Sequence, residues 1–224
     1  MINHEGATLL LIATNNQGKV KELQDLLNNT GIELITPAQI NLELDVIEDG
    51  HTYADNATKK AMAFAHASGL ISLADDSGLE VDVLGGAPGL YSARYGSDLA
   101  LPPFSAPQKM GGVGGGQLSD KDRRDYLIKN LIDKPRPWKA RFHATIAVAV
   151  PNRKTYLTEG FCEGEIIPEE RGAGGFGYDP IFLLKELGKT MAELSMEEKN
   201  RLSHRARAVM NAKPILESLF LKSG

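Results

Sequence analysis

Thr8-Leu9-Leu10-Leu11-Ile12-Ala13, followed by Thr14-Asn15-Asn16-Gln17-Gly18-Lys19 and then by Val20, Leu23, Leu26 and Leu27, decides the fold class. The apolar run has the length of a buried strand, and the spacing of Val20 and the leucines marks one face of a helix. The opening unit is therefore strand, polar loop, helix. Residues 32–36 give a second strand candidate, stopped by Pro37. Residues 52–66 read as an alanine-rich helix with Ala57, Ala61 and Phe64 or Ala65 on one face. Gly69 ends it, and residues 70–74 form a strand that runs into Asp75-Asp76-Ser77-Gly78, placing these residues at its C-terminal edge. Alternation of strand and helix predicts an α/β protein with a mixed central sheet and flanking helices.

The remainder fits the same single domain, residues 1–224. Residues 99–119 contain Pro102, Pro103 and Pro107 and then five glycines between 111 and 116, which reads as a flexible surface loop. Residues 121–132 form a charged helix with Tyr126, Leu127 and Leu131 inward. Phe142, Ala144, Ile146, Val148 and Val150 alternate as in a strand, and residues 155–167 supply a partner. Pro180 and the apolar residues after it suggest another strand. Ser195 and Glu198 have capping-box spacing. A last helix runs from Ser203, kinked or divided by Pro214.

Composition narrows the function classes. Hydrophobic residues make up 42% of the 224, enough for a sizeable core, and the net charge is −4. An acidic chain of pI 5.8 lacks the basic face of a nucleic-acid binder. A single cysteine, Cys162, excludes an internal disulfide and a cysteine-rich zinc site, and fits a reducing, cytoplasmic setting. No signal peptide and no membrane span is read in the chain.

Four stretches could carry chemistry. Residues 14–19 offer hydroxyl, amide and backbone N–H donors at a helix N-terminus, with Lys19 one turn in, a combination suited to a triphosphate. Simple capping by Thr14 or Asn16, with Lys19 on a solvated face, is the better account of these residues taken alone. Adjacent carboxylates at Asp75 and Asp76 repel each other unless a divalent cation relieves the repulsion. A polar turn is the alternative there, and Glu48-Asp49-Gly50 supplies further carboxylates. Gly172-Ala173-Gly174-Gly175-Phe176-Gly177 formally matches a dinucleotide fingerprint but lacks the strand-to-helix context. Phe176 there offers a ring for a base to stack on. Ser203-His204-Arg205 opens the last helix, where cations oppose the dipole and call for an acceptor nearby. Glu197 or Glu198 is the ordinary partner.

Taken together, these blocks resemble the inosine triphosphate pyrophosphatase family. The matching segments are Thr14 to Lys19 (T-x-N-x-x-K), Glu48 to Ala57, Ala74-Asp75-Asp76-Ser77-Gly78-Leu79, Gly85 to Arg94, Phe176-Gly177-Tyr178-Asp179-Pro180 and Ser203-His204-Arg205. They follow the family's order across nearly the whole chain. Asp49 and Tyr53 depart from it, where Thr and Phe are more usual, and the 99–119 stretch is longer than expected.

The resemblance implies two lobes around a nucleotide cleft, a homodimer, and Mg²⁺-dependent hydrolysis of ITP, dITP or XTP to the monophosphate and pyrophosphate. It places Thr14, Asn15, Asn16, Gln17, Gly18 and Lys19 with the substrate, and Ser77 in contact with it. Glu48 and Asp76 would be the metal-linked carboxylates, Asp76 also the general base, with Asp75 in support. Phe176, Gly177, Tyr178 and Asp179, with Lys199, His204 and Arg205, would recognise the base. Other readings are a Maf-like pyrophosphatase for pyrimidine or modified nucleotides, which the Ser203-His204-Arg205 block disfavours, and a non-catalytic nucleotide sensor, which the paired carboxylates disfavour.

Overall fold

The structure is a computed structural model that describes residues 9–28, 30–97 and 118–220. Among these residues, seven strands form one mixed sheet, in the hydrogen-bonded order β2-β1-β3-β4-β5-β6-β7. The strands are β1 (Leu9–Ile12), β2 (Glu33–Ile35), β3 (Ile71–Val81), β4 (Trp138–Ala149), β5 (Thr155–Ile166), β6 (Phe182–Leu184) and β7 (Lys189–Thr190). The helices are α1 (Gln17–Leu27), α2 (Tyr53–Ser68), α3 (Asp120–Leu131), α4 (Met196–Leu202) and α5 (His204–Phe220). β1 pairs in parallel with β2 and β3, whereas β5–β6 and β6–β7 are antiparallel. The chain divides into two compact units. The first comprises Met1–Ser77, Phe142–Cys162 and Met196–Gly224, the second Gly78–Arg141 and Glu163–Ser195.

In the first unit, strand periodicity sorts side chains onto two faces. Leu10 and Ile12 of β1, Leu73 of β3 and Ile146 and Val148 of β4 pack with Val20, Leu23 and Leu27 of α1 and with Val209, Ala212 and Leu216 of α5. The intervening residues, Leu11, Ala13, Ala74, Ala147 and Ala149, pack with Ala57, Ala61, Phe64 and Ala65 of α2. Successive residues of a strand point to opposite faces, so β3 offers odd-numbered positions to α1 and α5 and even-numbered ones to α2.

In the second unit, Leu127 and Leu131 of α3 are completely buried, each contributing about 1.5–3 kcal/mol. Tyr126 is half-buried and meets Tyr95 edge to face at 5.1 Å. Ser119 caps α3 in a reciprocal capping box with Asp122. Residues 99–117 of the expected surface loop lie outside the described residues.

Two expectations change. β3 does not stop at Asp75 but continues through Asp75-Asp76-Ser77-Gly78 to Val81, so the carboxylates lie inside a strand rather than at its C-terminal edge. Asp, Gly and Ser are poor strand formers, and here tertiary pairing overrides that preference. Pro214 lies within α5 and does not divide it.

Candidate active site

The polar residues of the first unit follow from the two faces of β3. Asp75 shares the α1/α5 face with Leu73, and Asp76 shares the α2 face with Ala74.

On the α1/α5 face, Arg205 donates from Nε to Asp75 and from Nη1 to Glu22 of α1. Its Nη2 donates to Ser77 Oγ at 3.0 Å. Lys199 Nζ pairs with the other oxygen of Glu22 at 2.6 Å. Lys19 Nζ lies 3.3 Å from both Asp75 Oδ1 and the Asp75 carbonyl oxygen. Burial pushes the Asp75 carboxyl up, but Arg205 and then Lys19 outweigh it and hold it well below the usual carboxylate range. Burial likewise acts against Glu22, and Arg205 and Lys199 bring it below its ordinary value. Arg205 is only 2% exposed, although it stands in the first turn of the last helix. Its partners are Asp75 and Glu22, reached across the fold, while Glu197 pairs with Arg201. His204 is buried too, stacked on Phe142 with centroids 4.7 Å apart and planes 16° apart. Burial, then Arg205, lowers its pKa well below the usual histidine value, so the ring is neutral at pH 7. His204 Nδ1 is buried without a hydrogen-bond partner among the described residues.

On the α2 face, Lys60 Nζ sits 3.1 Å from Glu48 Oε1 and 3.5 Å from Asp76 Oδ1, and donates to the Asp75 carbonyl at 2.9 Å. Burial raises the Asp76 pKa; Lys60 and Lys19 oppose this, while Glu48 and Asp75 add to it. The Glu48 segment is held by α2 itself. Thr52 and Asp55 form its capping box, and Asn56 Oδ1 accepts from Gly50 N at 2.8 Å. A Cβ at Gly50 would lie 2.6 Å from that oxygen, so a glycine is needed for the approach.

At the start of α1, Asn16 Oδ1 accepts from Lys19 N at 3.1 Å, and Thr14 Oγ1 accepts from Asn16 N at 3.2 Å. Asn15, Asn16 and Gln17 are exposed. Asn16 is thus the cap, while Lys19 reaches Asp75 rather than solvent. The structure brings Lys19, Ser77, Lys199 and Arg205 into one connected set with Asp75 and Glu22, with His204 preceding Arg205 in the chain and stacked on Phe142, and Glu48 beside Asp76. Phe176, Gly177, Tyr178 and Asp179 belong to the second unit, where Tyr178 is buried and its hydroxyl donates to Ser92 O at 3.0 Å. Asp49 pairs with Lys59 at the surface, and Tyr53 packs edge to face on His143 at 4.6 Å, so neither departure from the family pattern enters this set.

Sequence reading missed Glu22 and Lys60. Both had a signal: Glu22 falls three residues after Lys19, and Lys60 lies between Asn56 and Phe64 on the inward stripe of α2. A charge on an inward stripe requires a buried partner.

Comparison with known proteins identifies the family. The Ham1 family model matches residues 10–215. A dITP/XTP pyrophosphatase of Desulforamulus reducens is 44% identical over 213 residues, 95% of this chain and 97% of its own. That of Bacillus subtilis is 41% identical, covering 93% and 96%. Among solved structures, the Staphylococcus aureus Ham1 protein superposes with a TM-score of 0.76 at 34% identity, covering 95% of this chain and 100% of its own. A HAM1 protein from Coxiella burnetii gives 0.78 at 33%, covering 94% and 99%. With a family model matched over most of its length and relatives above 40% identity, the chain belongs to the Ham1 family.

Proposed function

We propose that this chain hydrolyses non-standard purine nucleoside triphosphates, dITP, ITP and XTP, to the monophosphate and pyrophosphate, acting as one catalytic domain. The observation that carries this reading is the opposite treatment of two consecutive carboxylates. Asp75 is locked in its charged form by Arg205 and Lys19, whereas burial makes Asp76 the more basic of the two. A raised carboxylate pKa moves toward the working pH and strengthens the group as a general base. In this reading Asp76 takes a proton from water as the water oxygen bonds to the α-phosphorus. The bond to the bridging oxygen breaks, and pyrophosphate leaves.

Thr14, Asn15, Asn16, Gln17, Gly18 and Lys19 are proposed to hold the phosphates, where the N-terminus of α1 and a cation favour anions, with Ser77 nearby in contact with substrate. Mg²⁺ fits the donor set: Glu48 and Asp76 already converge on one cation, the Lys60 ammonium. Among the described residues they gather no larger His, Cys, Asp and Glu cluster. Mg²⁺ is commonly held by one or two carboxylates together with substrate phosphates and water. Bound there, it would neutralise charge on the phosphates.

For the base, a neutral His204 carries one N–H donor, and its unpartnered Nδ1 supports a contact with a 6-keto oxygen. Adenine puts a donor at that position, and donor facing donor discriminates strongly. Lys199 and Arg205 belong to the same recognition set, oriented by Glu22 and Asp75. Phe176, Gly177, Tyr178 and Asp179 are likewise assigned to base recognition on the strength of the family resemblance alone, which also supports a homodimer. A cytoplasmic setting accords with the single, buried cysteine and with the lack, among the described residues, of a helix long and apolar enough to cross a membrane.

Product analysis tests the reading. With Mg²⁺, dITP is expected to give dIMP and pyrophosphate, and dATP and pyrimidine triphosphates far less. Formation of dIDP and orthophosphate would refute attack at the α-phosphorus.

A further inference from the structure

Gly177 lies in the block proposed for base recognition, and both of its peptide groups are held by charged side chains. Gly177 N donates to Asp120 Oδ2 at 2.7 Å, and its carbonyl oxygen accepts from Arg124 Nη1 at 2.8 Å. Asp120 and Arg124 are four residues apart at the start of α3, so they share one helix face.

The holders are themselves held. Arg124 forks onto Glu170, with Nε to Oε1 at 3.0 Å and Nη2 to Oε2 at 2.9 Å, and its side chain is only 11% exposed. The other oxygen of Asp120 pairs with Arg123, whose Nη1 donates to Leu118 O at 2.6 Å. The neighbours of Gly177 are pinned as well. Phe176 N donates to Asp179 Oδ2 at 3.0 Å, beside the Tyr178–Ser92 bond. Gly175 has φ 72°, and a Cβ there would lie 2.0 Å from that Asp179 oxygen.

Loop peptide groups are commonly left to water. Here two charge-assisted bonds, the stronger class, fix the donor and the acceptor of one residue. A loop ordered before its ligand arrives has less entropy to lose on binding, and this raises affinity.

We propose that Asp120 and Arg124, the latter seated by Glu170, are positioning residues that clamp the Gly177 peptide and so pre-order the base-recognition block. The proposal rests on the reading of residues 176–179 as contacts to the base.

The test pairs calorimetry of dIMP binding, which needs no turnover, with dITP kinetics. Asp120→Ala and Arg124→Ala are expected to weaken dIMP binding and raise KM for dITP on the order of tenfold each, the scale of one hydrogen bond to a charged group. The change in kcat should be smaller than that in KM. Asp120→Asn should restore near wild-type values, because its amide oxygen still accepts from Gly177 N. Lys121→Ala, which removes a charge from the exposed pair with Asp125 on the same helix, should change neither measurement. If Asp120→Ala loses its cooperative melt, Arg124→Lys carries the test: one donor remains for Gly177 O but no fork for Glu170, and an intermediate KM is expected. Wild-type dIMP affinity and KM in the Arg124 variants would overturn the clamp. So would equal losses in kcat and KM with Asp120→Asn as impaired as Asp120→Ala. A wild-type chain that binds dIMP but releases no pyrophosphate from dITP would instead refute the hydrolytic reading.

Discussion

On the α1/α5 face of β3, Arg205, Lys199 and Lys19 surround Asp75 and Glu22, whereas on the α2 face, among the described residues, Lys60 pairs with both Glu48 and Asp76. Cations outnumber carboxylates in the first region, and carboxylates outnumber cations in the second. The first suits an anion such as phosphate, and the second suits an added cation. One strand produces both, because consecutive side chains leave it in opposite directions. Two adjacent aspartates can then serve as a locked counter-ion and a base.

The largest expected effect falls on the cation-rich side. Arg205→Ala would leave Asp75 and Glu22 buried with fewer counter-charges, and breaking a buried pair in this way typically costs about 3–5 kcal/mol. Urea denaturation should show that loss. A variant as stable as wild type would mean that the buried network contributes orientation alone. Asp76→Asn, on the other side, should lower kcat on the order of 10²-fold or more while leaving the fold intact. Pyrophosphate release and a melting curve read the two effects separately. Unfolding of Asp76→Asn, or full activity, would erase the distinction between the two faces.

The smallest effect is a separation on acidification. Asp75 has a depressed folded pKa, so its contribution to stability is complete above the ordinary aspartate value of 3.8 and is lost as pH falls through the lower folded value. Asp76 has a raised one in the metal-free chain, so its ionised form, which both the base role and Mg²⁺ binding need, disappears there at a pH above 3.8, and protonation favours the folded state. Activity should therefore fail before the fold does. The acid limb of kcat/KM, set beside melting curves across the same pH range, measures the gap. A shared midpoint would show that one titration governs both.

Much of the fold was legible in local pattern. The strand–loop–helix start, the capped alanine-rich α2 and the alternation in β4 each rest on a few neighbouring residues. The continuation of β3 through Asp75-Asp76-Ser77-Gly78 was not, because strand preference alone argues against it. Among site residues, Lys19, Asp76 and His204 stood out through their motifs. Glu22 and Lys60 sit on helices where Glu and Lys are common, and only their inward position marks them.

The sequence by itself determined the kinds of element, their order and the family blocks, since periodicity, caps and motifs act over a few residues. Which charges meet was decided by tertiary structure alone. Arg205 reaches Asp75 across 130 positions and Glu22 across 183, and neither spacing has a local signature. The physical reason is desolvation. A guanidinium or carboxylate is strongly disfavoured in the interior until a partner stands opposite it, and only packing of α1, α5 and β3 brings that partner there.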